Sequence, residues 1–403
     1  MRLILMKNVG IPIDEPLCTH VVFLMGCTPS SQTKREKLIG TDTNIMEAYI
    51  KLEREIWQEE QQAPAPALTH AISKLEKITS DLEKLASEIT QNQNFTFNQV
   101  PSKPDNIETE NLESIDNSIK NAMTELRVMN NPKVATEHEE FIANLNRKSL
   151  KCRQLYLLNR RKLEIEEEAA KLSDKVQNLQ KLYEQQDTIL SEVIGSSYAS
   201  EIESELNRLR NYRDALYSSE LAWQDTIKLT ESASVFSQAG LSSWQTINNI
   251  TSNEESRFRL ATETRNTIHE AALLIQSAQS MLPTVQFPYC TSREIFAILQ
   301  VIEYLYTDMQ ITERYDHARE VYKSFQRRTL ALSKWLKELM TNTIHKDILE
   351  VDKKIAEFVS RLSTERIQQI KKKTATIGLS NGILTAESLE SLDSVHQKHF
   401  VRK

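Results

Sequence analysis

Apolar residues recur at steps of three and four along most of the chain, the spacing that lines one face of an α-helix. From Thr41 to about Gln62, Ile45, Tyr49, Leu52 and Ile56 form such a stripe, and Trp57 widens it. Ala63-Pro64-Ala65-Pro66-Ala67 then breaks the run, because proline lacks an amide donor and restricts its predecessor. Leu68 to Asn92 carries the next stripe. Leu68, Leu75, Leu82 and Ile89 hold one heptad position, and Ala71, Ile78 and Leu85 hold a second. Two positions in seven make the narrow seam of a coiled coil. Asn92 to Glu108 reads as a loop. Leu112, Ile115, Ile119, Ala122, Leu126 and Met129 predict a helix from about Glu110 to Met129, closed by Asn130-Asn131-Pro132.

The longest predicted helix spans about Val134 to Ile194. Leu155 set at position a and Leu158 at d start a seam that continues through Ile165, Leu172, Val176, Leu179, Leu190 and Val193. Lys162 and Gln186 are its clearly polar members, and polar residues in such a seam fix register or partner number. Gly195-Ser196-Ser197 interrupts. Ala199 to about Gln238 resumes, Ala239-Gly240 marks a turn, and Leu241 to Leu282 follows. Beyond the apolar connector Pro283 to Cys290, Thr291-Ser292-Arg293-Glu294 matches a capping box. The helix it opens is apolar over much of its circumference, from Ile295 to Tyr306, and is the best candidate for a core centre. Thr312-Glu313 opens another helix, a further one passes through Ile344 to Leu362, and Lys371-Lys372-Lys373 closes the periodic region. A weak helix near Ala386 to Val395 ends the tail.

Composition points the same way. The 403 residues hold only 7 glycines and 10 prolines, against about 28 and about 20 at average usage. Sheets and catalytic loops need such punctuation, so long helices with few breaks are expected. A net charge of −6 offers no general attraction for nucleic acid. Cys18, Cys27, Cys152 and Cys290 are far apart and form no CxxC pair, which suits a reducing compartment. No apolar run approaches the roughly 20 residues that span a bilayer, and Met1 to Leu24 is too interrupted for a secretory signal.

Catalytic patterns are poor. There is no His-Glu-x-x-His, P-loop or glycine-rich phosphate loop. His396 and His399 share a helix face without a carboxylate cluster, Cys290 reads as a buried structural cysteine, and His317 as a solvated helix residue. No metal, cofactor or enzymatic activity is predicted.

One motif stands apart. Met25-Gly26-Cys27-Thr28-Pro29-Ser30 fits the acylation pattern Met-Gly-x-x-x-Ser/Thr. Myristate alone holds a membrane marginally, and a second signal is needed. Cys27 could take palmitate, and Lys34, Arg35 and Lys37 supply a basic patch for anionic lipid. Gly26 to Ser30 resembles the dual-acylated N-termini of Src-type kinases and some G-protein α subunits. The resemblance implies lipidation at Gly26 and Cys27, and it requires initiation at Met25, since Gly26 is otherwise internal. Met1 to Leu24 is then either an irregular arm or an upstream extension absent from the working protein.

The sequence therefore predicts an all-α chain, with long coiled-coil helices followed by a C-terminal antiparallel helical bundle. The expected divisions are an irregular arm (1–40), short amphipathic helices with linkers (41–132), a long coiled-coil helix (133–198), a helical domain (199–373) and a tail (374–403). The expected function is a non-enzymatic adaptor or scaffold whose coils hold protein partners or a second copy of the chain, and which is tethered to a cytoplasmic membrane face if acylated. The first alternative is a soluble coiled-coil component of a cytoskeletal, centrosomal or trafficking assembly. The second rests on Arg147, Lys148, Lys151, Arg153, Arg160 and Arg161, whose clustering on a long helix resembles membrane-curving BAR-type dimers.

Overall fold

A computed structural model describes residues 43–91, 109–193, 201–250 and 253–376. These residues are 90% helical and contain no strand, so the chain is all-α. In order, the helices are α1 (Thr43–Glu60), α2 (Pro64–Gln91), α3 (Thr109–Glu125), α4 (Pro132–Glu137), α5 (Glu139–Val193), α6 (Glu201–Ile247), α7 (Glu254–Met281), α8 (Ser292–Glu303), α9 (Leu305–Asp308), α10 (Thr312–Asn342) and α11 (Ile344–Thr376). No described helix is long and apolar enough to cross a membrane.

Local rules explain most boundaries. Pro64 and Pro66 begin α2 rather than separating it from α1, because amides in a first turn have no helical acceptor to lose. The break is three residues, Gln61 to Ala63, with Ala63 in the left-handed region at φ 45°. Helix α3 stops four residues before its apolar stripe does. Val128 N donates to Met123 O and Arg127 N to Thr124 O, a Schellman closure with Arg127 at φ 55° where glycine is usual. Asn131 caps α4, with Pro132 at its first position. The Thr291–Glu294 capping box forms, and the Thr291 amide donates to Glu294 Oε2 at 2.9 Å.

The Ala239-Gly240 turn does not occur, and α6 runs through both residues to Ile247. A Cβ on Gly240 would meet Ile268 Cγ1 and Thr267 Oγ1 at 2.7 Å. This glycine lets α6 and α7 approach closely rather than reversing the chain.

The described residues form two compact units, each assembled from distant stretches. The first gathers 43–63, 175–193, 201–213 and 349–376. Tyr49, Ile50, Ile367 and Ile370 are buried together in it, with Met46, Ile189, Leu190 and Val193 packed against them. The second gathers 64–174 and 214–348, apart from the residues not described. Its larger core centres on Trp244, which stacks on Tyr315 at 4.9 Å and meets the Tyr322 ring edge-on at 5.5 Å. Burying aromatic and aliphatic side chains of this kind stabilises a fold by about 1.5–3 kcal/mol each. Within α8 to α9, Ile295, Ile298, Ile302, Leu305 and Tyr306 are buried, but Phe296 is 61% exposed. The apolar circumference of that segment is therefore only partly core.

Candidate functional site

Gly26, Cys27, Lys34, Arg35 and Lys37 lie outside the described residues, as do His396 and His399. The α5 seam is described throughout. In the second unit Leu155 and Ile165 are buried, with Leu158 and Leu172 half-buried, against Ala71, Ile78, Leu82 and Leu85 of α2. Ion pairs at both ends, Lys151–Glu88 at 3.3 Å and Lys74–Glu168 at 3.8 Å, run α2 antiparallel to α5. In the first unit Val176, Leu179, Leu190 and Val193 are half-buried.

The polar members of the seam part company. Lys162 faces Glu166 one turn along α5. Gln186 is buried, and its amide donates to Glu53 Oε2 at 2.5 Å. Glu53 belongs to a buried charged layer of the first unit. Arg210 lies 2.9 Å from Glu60, which also accepts the Tyr183 hydroxyl, and Arg366 lies 2.8 Å from Glu203. Burial raises the Glu53 carboxyl above the usual range, and Arg366, the Tyr49 hydroxyl and Arg210 offset only part of that rise. Glu53 sits on the stripe Tyr49, Glu53, Ile56, Glu60, whose steps of four and three were legible. The sequence reading followed Leu52 instead, because a carboxylate is rarely placed inside.

A second polar centre lies in the other unit. The Arg265 side chain is wholly buried. Nη2 lies 2.7 Å from Asp116 Oδ1, Nη1 donates to Asn146 Oδ1 at 3.2 Å, and the guanidinium sits 5.8 Å from the Tyr306 ring centroid. Asp116 also accepts Ser149 Oγ at 2.8 Å. The Asn146 amide donates to the carbonyls of Ile302 and Glu303, at 2.8 and 2.9 Å. Those carbonyls lie at the end of α8, where the helix supplies no N–H donor of its own. The centre thus ties α3, α5, α7 and α8 together. One turn beyond Arg265, His269 is buried with Nδ1 unpartnered. Burial first, then Arg265 and Arg153, push its imidazole down to about 3, so it is neutral in the fold.

Other ionisable groups are spent the same way. Asp225 of α6 accepts from His70 at 3.0 Å and Lys74 at 2.8 Å. Burial raises its carboxyl, but those two partners win and hold it well below the usual range. Asp308 is pushed up to about 7 by burial, against the opposing pull of Arg314 2.6 Å away. Cys290 is buried at φ 56°, and burial pushes its thiol up to about 12, which leaves no thiolate at neutral pH. His317 is exposed. No group of three or more His, Cys, Asp or Glu side chains among the described residues is arranged to hold a metal ion.

The basic cluster of α5 is largely engaged. Arg147 lies 2.7 Å from both Glu303 and Glu140, Arg153 3.3 Å from Glu270, and Arg160 3.6 Å from Glu164. An open groove of about 370 Å³ lies in the second unit between α2, α5 and α7, lined in part by Leu85, Leu157, Leu158, Leu273 and Leu274. Comparison with protein-family models, with curated proteins and with solved structures finds no match.

Proposed function

We propose that this protein is a non-enzymatic helical adaptor or scaffold. The supporting observation is the use made of its buried and half-buried charges. Glu53, Glu60, Asp116, Asp225 and Arg265 each pair with groups on other helices of their own unit, so their chemistry goes into holding helices together. A catalytic acid or base would instead face a cavity with a proton to move.

The tethered form of this reading rests on the sequence motif. Initiation at Met25 would expose Gly26 for myristate and set Cys27 beside it for palmitate. A soluble coiled-coil component of a larger assembly differs only in lacking the lipid. The BAR-like reading draws less support, since Arg147, Lys151, Arg153 and Arg160 face carboxylates rather than presenting free charge.

The test is whether the chain carries other proteins with it. In cells making the Gly26→Ala chain, both the chain and its co-fractionating partners should shift from membrane to soluble fractions. Partners whose distribution ignores both that substitution and removal of the chain would contradict the adaptor reading. A wild-type chain whose intact mass begins at Met1 would remove the lipid alone.

A further inference from the structure

We infer that the groove between α2, α5 and α7 is the seat of a fourth helix, supplied by a partner protein and carrying a carboxylate for Arg161. This rests on the adaptor reading and names where one partner would bind.

Three helices line the groove at the same spacing, with one leucine from α2 and two each from α5 and α7, flanked by polar residues. Positions 81, 84, 85 and 88 line it from α2, positions 154, 157, 158 and 161 from α5, and positions 270, 273, 274 and 277 from α7. Each set is i, i+3, i+4, i+7, two turns of one helix face. At 1.5 Å rise per residue such a stripe runs about 10 Å. Two of the walls are antiparallel neighbours, as the Lys151–Glu88 and Lys74–Glu168 pairs require. The contact Arg153–Glu270 and the Lys77 ammonium on the Ser280 carbonyl run α7 alongside them both. Three helices in this arrangement with Leu157, Leu158, Leu273 and Leu274 half-buried between them leave a fourth bundle position uncovered among the described residues. Knobs-into-holes packing fills such a position with another helix whose apolar residues repeat at three and four. A flat or irregular ligand would not match three stripes of identical period.

Charge selects the occupant further. Lys84 faces Asp81, Lys151 faces Glu88 and Arg160 faces Glu164, so these groove cations are partnered. Arg161 has no carboxylate within ion-pair distance and no hydrogen bond among the described residues, although it is half-buried at the leucine wall. Burial lowers its affinity for its proton, with Asp225, Glu164 and Glu168 acting only from further off. A guanidinium taken partly out of water without a partner is costly, and a planar carboxylate meeting it would recover two hydrogen bonds. The partner helix should therefore carry leucine-sized residues along one face and an Asp or Glu facing Arg161.

The experiment places a photoreactive residue at the exposed groove position Gln276 of the full chain in eukaryotic cells. Mass spectrometry then identifies what it cross-links. The expected product is a peptide of a different protein with apolar residues at helical spacing and an acidic residue. Arg161→Glu should cut that cross-link by about ten-fold or more, since like charges in an interface are strongly disfavoured. Replacing the partner's acidic residue by lysine should restore it. Helicity and melting of the Arg161→Glu chain should match the wild type, which separates lost docking from lost folding. Cross-links confined to this chain, to a second copy or to lipid would overturn the inference, as would no cross-link or one indifferent to Arg161→Glu. If partners still travel with the chain in that event, the adaptor reading stands and only the groove assignment fails.

Discussion

Arg265 shows how much structural work one buried charge performs. It bridges Asp116 and Asn146 with no exposure to water, and Asn146 in turn closes the end of α8. Arg265→Met should destabilise the second unit by about 1–3 kcal/mol, because it leaves the half-buried Asp116 carboxylate without its cation. Adding Asp116→Asn should return part of that loss, and chemical denaturation of the single and double variants measures both. His269 makes a pH-dependent contribution of definite sign. It stays neutral in the fold, while the unfolded chain takes a proton below about pH 6.5. Its stabilising share is thus present above pH 6.5 and is lost as the pH falls toward 3. The wild type should lose about 2 kcal/mol between pH 7.5 and pH 5 from this residue alone. His269→Leu should abolish that part of the loss, and denaturant midpoints at the two pH values decide it. Equal losses in both proteins would show that His269 is not buried as neutral imidazole. Both residues carried a signal in the sequence. Arg265 lies on the stripe Ala261, Arg265, Ile268, Ala272, Ile275, but a lone charge within a stripe is ordinarily assigned to the solvated face.

Elements were the most legible level, and their exceptions are instructive. The stripe of α5, the capping box of α8 and the polar seam position at Gln186 all follow from spacing and local hydrogen-bond chemistry. Boundaries failed where one residue served a purpose that periodicity does not encode. Arg127 closes α3 in a conformation normally given to glycine, and Pro64 opens a helix instead of ending one. Gly240 is the sharpest case. Alanine would raise helix propensity by about 1 kcal/mol at an unconstrained position. Here its Cβ would press on Ile268 and Thr267. Gly240→Ala should therefore lower stability by about 1–3 kcal/mol, the usual cost of overpacking. Ile268→Ala in the same chain should make the added Cβ nearly neutral relative to Ile268→Ala alone. A stabilised Gly240→Ala protein would mean that α6 and α7 are further apart than described.

At the scale of the whole molecule, the fold class followed from a glycine and proline deficit and from helical periodicity. The grouping of helices did not. Residues 43–63, 175–193, 201–213 and 349–376 come together in one unit, and no local rule announces which distant stripe a helix will meet. The buried charged layer of the first unit explains part of that choice. Glu53, Glu60, Gln186, Arg210 and Arg366 find their partners only if those particular helices meet. Such layers reward one arrangement over others even where they add little net stability. The adaptor function proposed above requires that this chain hold other proteins. Native mass measurement of the full chain, purified at physiological salt from the cells that make it, tests that claim most directly. The account predicts a mass exceeding that of the chain by one or more bound proteins in whole-number stoichiometry. A single species at the mass of one chain, with no protein partner, would contradict it.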